Sequence, residues 1–191
     1  MTTREYLLIP PDKRYTLLLY GNMLVLPRPG VDHNDARHQL GVMLDRWIVH
    51  HKLGAFCFNI DMVLDKKRAL VHAPDLLFVS KAHQRRLTEE RMVGAADLCI
   101  DIIDPSDRSF VLSRQFTDYE RYGITWYWML DPRQQRLDEY ELMNGKYECR
   151  SEIVGDEWFE PGLFPGLVFR LPPLLAGDLK AALKGKAKRL M

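Results

Sequence analysis

Apolar positions in this chain change period as it runs, and the changes mark out its elements. Residues 98–103, Leu-Cys-Ile-Asp-Ile-Ile, form a short apolar run broken only by Asp101, the signature of a strand buried on both faces. After the turn signalled by Pro105, Leu112, Phe116 and Tyr119 recur at helical spacing. That predicts a helix over 108–122, with Asp107 or Ser109 as its cap and Gly123 as its stop. Residues 124–130 are again apolar and aromatic and predict a strand closed by Asp131-Pro132. The unit is strand, helix, strand, with an acid where an apolar side chain is expected.

Upstream, residues 15–20 and 23–26 flank Gly21-Asn22 and predict a hairpin ended by Pro27, Pro29 and Gly30. Leu40, Met43, Leu44, Trp47 and Ile48 give one apolar face to a helix that runs to about His51, with Asp32 or Asn34 as its cap. Phe56, Phe58, Ile60, Met62 and Leu64 alternate with smaller or polar residues and predict one half-buried strand. Beyond the charged turn Asp65-Lys-Lys-Arg, the chain returns through Val71 and Pro74-Asp75 to Val79 as the second arm of that hairpin. Residues 81–91 read as loop or a weak helical turn. Lys81, Arg85 and Arg86 there could touch phosphates, although a cluster of this size ordinarily marks a solvated face.

Asn144-Gly145, between 137–143 and 146–151, is the turn pair suited to positive φ and predicts a further hairpin. Residues 155–173, rich in Pro, Gly and aromatics, are expected to wrap a sheet edge. Residues 174–183 predict a short helix weakened by Gly177, followed by a flexible basic tail over 184–191.

Composition narrows the class without deciding function. A chain of 191 residues with 47% hydrophobic and 28% charged residues predicts a single globular domain over 1–191. A formal net charge of +1 supplies no global field toward nucleic acid, so any such contact needs a local patch. Cys57, Cys99 and Cys149 lack CxxC spacing and read as reduced core residues of an intracellular protein rather than a disulfide or zinc framework. No stretch reaches the ~18 apolar residues of a membrane span, and the expected location is the cytoplasm.

Two acids carry the candidate chemistry. A carboxylate withdrawn from water costs several kcal/mol unless it is paired, hydrogen-bonded or bound to metal. Asp101 poses that problem within its strand, and Asp75 poses it between Pro74 and Leu76-Leu77-Phe78-Val79. Taken singly, each acid reads as a solvated or amide-bonded strand end. On neighbouring strands and pointing the same way, the pair would make a hard-oxygen site of the sort Mg²⁺ prefers. Other chemistries find no support: there is no Gly-rich phosphate loop, GxSxG elbow or HExxH, and His33 and His38 are poorly spaced as two ligands on one helical face. Trp126-Tyr127-Trp128 could stack bases, but on a strand between apolar runs it reads as core. Carboxylate-pair glycoside hydrolysis has no sugar-binding aromatic arrangement to accompany it.

In order along the chain stand Arg14-Tyr15, Tyr20-Gly21, the stretch from Pro27 to His33, Pro74-Asp75 with the strand after it, Ala96-Asp97-Leu98 and Asp101-Ile-Ile-Asp-Pro-Ser. Then come Tyr119-Glu-Arg-Tyr-Gly-Ile, Tyr127-Trp128, Leu130-Asp131-Pro132 and Leu163-Phe-Pro-Gly-Leu. This ordered set resembles the Uma-two family of restriction-type endonucleases, within the PD-(D/E)XK nuclease superfamily. The resemblance covers nearly the whole chain. It implies a restriction-endonuclease-like α/β core: a mixed sheet carrying Asp75 and Asp101, flanked by the first helix and the 108–122 helix, with hairpin additions.

The resemblance also implies roles. Asp75 matches the family's acid after proline, and Asp101 stands where the family has Glu, one methylene shorter. Together with a backbone carbonyl they are expected to hold Mg²⁺ (or Mn²⁺) against a DNA phosphate. The family's helix-borne Asp and Lys are Val111 and Gln115 here, its Ser before Pro-Ser is Asp104, and its Glu after Gly21 is Asn22. Gln115 could orient a water through its amide but brings no charge, and Arg114 points to another side of the helix. Two functions are therefore expected from different classes: a metal-dependent DNA endonuclease with an altered site, or a nuclease-derived module that binds DNA or a protein without cutting. The family further suggests a homodimer, with 155–173 as its contact surface.

Overall fold

A computed structural model describes residues 1–10, 16–104 and 109–190. The expected cap Asp107, the side chain of Ser109, the helix start at Arg108 and the Arg14-Tyr15 pair lie outside the described residues. The chain opens with a helix absent from the sequence reading, α1 (Thr3–Leu7), closed by a capping box between Thr2 and Glu5.

The described strands form two mixed sheets. The first comprises β1 (Thr16–Leu19), β2 (Asn22–Val25), β4 (Asp61–Asp65), β5 (Leu70–His72) and β7 (Arg91–Val93), in the order β2-β1-β5-β4-β7. The second comprises β3 (Gly54–Phe58), β6 (Leu76–Ser80), β8 (Leu98–Ile102), β9 (Trp126–Asp131), β10 (Arg136–Met143) and β11 (Lys146–Val154), in the order β11-β10-β9-β8-β6-β3. Within the second sheet β8 and β9 run parallel, joined by the crossover helix α3 (Ser109–Tyr122), and the other pairs are antiparallel. The fold class is thus α/β, with helices flanking the sheets.

The second sheet is the expected central mixed sheet, and the first stands apart from it for a local reason. The run 56–64 is not one strand: Asn59 takes a left-handed conformation (φ 47°) and its amide donates to the Asp75 carbonyl at 3.1 Å. Opposite it, Ala73-Pro74-Asp75 interrupts the return arm between β5 and β6. A proline offers no amide to a ladder, so pairing lapses there. One long hairpin therefore serves both sheets, β3–β6 in one and β4–β5 in the other, with Asp75 at the changeover.

Helix α2 (Val31–His51) covers one face of the second sheet, where Leu40, Met43, Leu44 and Trp47 meet Leu76, Phe78, Leu98, Ile100 and Trp128. Its cap differs from expectation: Gly30 is the N-cap without a side-chain bond, and the Asn34 amide donates to the Gly30 carbonyl instead. On the other face, Leu77, Val79, Cys99 and Tyr127 pack with Met62 and Met92 of the first sheet and Tyr119 of α3. The Asn144-Gly145 turn forms as expected, both residues at positive φ.

The C-terminal third departs further. Phe159, Phe164 and Phe169 are buried against the α2 side of the second sheet while Trp158 stays exposed, so the 155–173 segment is anchored in the core with part of its surface open. Two short helices follow, α4 (Leu171–Leu175) and α5 (Leu179–Ala182), separated at Gly177 with φ 79°. Residues Gly185–Leu190 form a 3-10 helix that buries Ala187, not a loose tail. All three cysteines are free, but only Cys99 is a core residue: Cys57 is half-buried and Cys149, on the edge strand β11, is exposed. Among the described residues no helix is long and apolar enough to cross a membrane.

Candidate active site

Asp75 stands beside the end of the strand that carries Asp101, where the second sheet ends next to the first turn of α2. The β6–β8 ladder has Leu76 opposite Ile100, and one further step in that register brings Asp75 opposite Asp101. Asp75 stands just before β6 rather than within it, so its side chain turns toward the neighbouring strand. Its Oδ2 accepts the Ile102 amide at 2.8 Å, on the peptide unit that joins Asp101 to Ile102. The same oxygen lies 3.1 Å from Nε2 of His33, on the first turns of α2. Close by, Asp104 accepts the Gly30 amide at 3.2 Å. The end of β8 is thereby fastened to the start of α2 at two points.

Asp101 looks the other way. Its neighbours Ile100 and Ile102 belong to the α2-side core, so strand alternation turns Asp101 toward α3. There it is only 4% exposed, and its Oδ2 accepts the Tyr127 hydroxyl at 2.9 Å. Burial, and then the charge of Asp101, push the Tyr127 and Tyr119 hydroxyls well above their ordinary range, so both keep their protons and can donate. Gln115 is buried on the same side and its amide donates to Tyr119 at 3.5 Å. Val111 is likewise buried and apolar. The helix position that carries a cation in the family thus holds a neutral amide, one tyrosine removed from the acid's surroundings.

A second polar cluster adjoins this one. Asp118 is buried and accepts from Tyr20 at 2.7 Å, His72 at 3.0 Å and Arg114 at 3.2 Å, while the Arg114 guanidinium lies over the Tyr20 ring. Burial opposes charge on Asp118, but the bonds from His72 and Tyr20 outweigh it and hold the carboxyl below its usual range. Burial also lowers His72, against the pull of Asp118, so the pair is a neutral imidazole donating to a carboxylate. Arg114 supplies the compensating charge. The His72 ring packs edge-on against Tyr119, which links this cluster to the Asp101 side.

The sequence reading had named Asp75, Asp101 and Gln115, and had passed over His33, Tyr127, His72 and Asp118. His33 carried a signal, since it closes the Pro27-to-His33 stretch, but it had been weighed only as a ligand paired with His38. Arg114 and Asp118 stand four apart on α3, a visible i,i+4 pair. Nothing in the spacing of His72 announced its partner.

Comparison with known proteins decides the family. The Uma2 family model, described as "Putative restriction endonuclease", matches residues 3–172. The chain belongs to the Uma2 family. Its Uma2 fold is shared with a crystal structure described as "a putative nuclease belonging to DUF820" from Anabaena variabilis, at a TM-score of 0.74 and 15% identity, over 94% of this chain and 99% of that one. At that identity the likeness concerns the fold. No curated protein matches this Uma2 chain.

The donor chemistry can be tested against a divalent ion. Among the described residues no group of three or more His, Cys, Asp or Glu is placed to hold a metal, which excludes a closed all-protein cage from that set. Mg²⁺ is commonly bound by one or two carboxylates, with waters and phosphate oxygens completing its shell. Asp75 offers one such carboxylate beside the peptide unit that follows Asp101, while the Asp101 carboxylate is turned toward α3 and engaged by Tyr127.

Proposed function

We propose that this Uma2 chain is a metal-dependent DNA endonuclease of the PD-(D/E)XK type, with a weakened site in which Asp75 and Asp101 hold Mg²⁺ or Mn²⁺. The observation that carries the reading is the Asp75 carboxylate on the Asp101-Ile102 peptide unit, which joins the two acids that the family pattern singles out. Bound there, the ion would polarise a phosphate oxygen and lower the pKa of an attacking water. The chain's own part is orientation. Ile102 and His33 fix Asp75, Tyr127 fixes Asp101, and Gln115 can present an amide but no charge to a developing oxyanion.

That last feature favours a second reading, a nuclease-derived module that holds DNA without cutting it. Nicking of supercoiled plasmid in Mn²⁺ and Mg²⁺ separates the two, with Asp75→Asn as the control. Slow, metal-dependent nicking lost in Asp75→Asn supports the enzyme. Retention of DNA on a gel without nicking supports the module, and neither result in full-length protein refutes both.

A further inference from the structure

His33 is buried (4% exposed) where α2 touches Asp75. Its Nδ1 has no hydrogen-bond partner among the described residues. With Nε2 as the donor and the carboxylate oxygen as the acceptor, the His33–Asp75 contact places a proton on Nε2. Nδ1 is then left unmatched, at a site where burial makes an unmatched polar atom unfavourable. One nitrogen is left idle while the other is spent on an acid already bonded to the Ile102 amide.

Both described bonds of Asp75 also fall on the same oxygen, Oδ2, one from the sheet and one from the helix. Two donors on one oxygen fix the carboxylate's rotation and leave Oδ1 as the oxygen available to an ion. Outer partners of this sort orient metal-binding side chains and typically change metal affinity 10–100-fold when removed.

We propose that His33 is a positioning residue for the metal site: its Nε2–H, together with the Ile102 amide, clamps Asp75 Oδ2 so that Oδ1 faces the divalent ion. The inference rests on the reading of Asp75 as a metal-holding residue. It goes further in giving α2 a direct part in the site, so that the first helix sets metal affinity through one hydrogen bond.

The test is titration of Mn²⁺ into the full chain by calorimetry, with circular dichroism of each variant. His33→Gln keeps a side-chain donor of similar reach, whereas His33→Met fills similar volume without one. The expected result is near wild-type Mn²⁺ affinity for His33→Gln and at least tenfold weaker binding for His33→Met, with Asp75→Asn binding none at this site. Equal affinities of the Gln and Met variants overturn the proposal while leaving the two-acid site intact. Absence of Mn²⁺ binding by the wild type overturns that site and the role of His33 with it. A ¹⁵N-resolved imidazole spectrum of the wild type gives a check independent of any variant: His33 should be the Nε2–H tautomer, and an Nδ1–H tautomer refutes the clamp.

Discussion

Glu139 offers a stability prediction whose size follows from its surroundings. It lies on β10 opposite Trp128 of β9, is 2% exposed, and accepts the Trp128 indole N–H at 3.0 Å and the Gly162 amide at 3.2 Å. Gly162 passes so close that an added Cβ would stand 2.4 Å from the Trp126 ring, so Glu139 is the latch that draws the 155–173 segment onto the sheet. Burial outweighs both bonds and pushes the carboxyl from 4.5 up to about 7. With a folded value raised above the unfolded one, the contribution to stability is full below about pH 4.5 and is lost as pH rises through about 7. At about 1.4 kcal/mol per tenfold change in proton affinity, the span between pH 8 and pH 5 is worth about 2.5 kcal/mol. Glu139→Gln retains an acceptor oxygen and removes the titration. Urea unfolding of both proteins at pH 5 and pH 8 should show the wild type gaining about 2.5 kcal/mol on the variant as pH falls. Parallel behaviour of the two proteins across that range would refute the reasoning.

Two further predictions concern α3. Gln115→Lys places a cation beside Tyr119 on the side where Asp101 lies, and plasmid nicking should rise about a hundredfold, the worth of one well-placed donor at a transition state; an unchanged rate in a folded variant counts against a decayed lysine site. Asp118→Ala leaves Tyr20, His72 and Arg114 without their shared acceptor, and chemical denaturation should report a loss of about 3 kcal/mol at neutral pH, whereas a loss below about 1 kcal/mol would mean that the cluster is only a surface ion pair.

Much of the fold was legible because period and turn chemistry act locally. The continuous run around Asp101, the spacing of Leu112, Phe116 and Tyr119, and the Asn144-Gly145 turn each carried their own instructions, and each element formed. The split of 56–64 between two sheets was not legible, because alternation persists through Asn59 and only a tertiary bond, from its amide to the Asp75 carbonyl, shows the bend. The packing of the C-terminal aromatics was not legible for a related reason: composition told that 155–173 is rich in aromatics but not that α2 and the second sheet leave a surface for Phe159, Phe164 and Phe169 to cover. At the site, the acids were visible as exceptions in apolar runs. Their partners were not, since His33 and Tyr127 are 42 and 26 residues away from the acids they contact.

The central claim is that Asp75 and Asp101 share one divalent ion, and anomalous diffraction at the manganese edge from crystals grown in Mn²⁺ tests it most directly. The account predicts one strong anomalous peak within coordination distance, about 2.2 Å, of a carboxylate oxygen of each acid, absent from Asp75→Asn crystals. A peak held elsewhere on the chain, or none at saturating Mn²⁺ with both acids still bonded to His33, Ile102 and Tyr127, would contradict it.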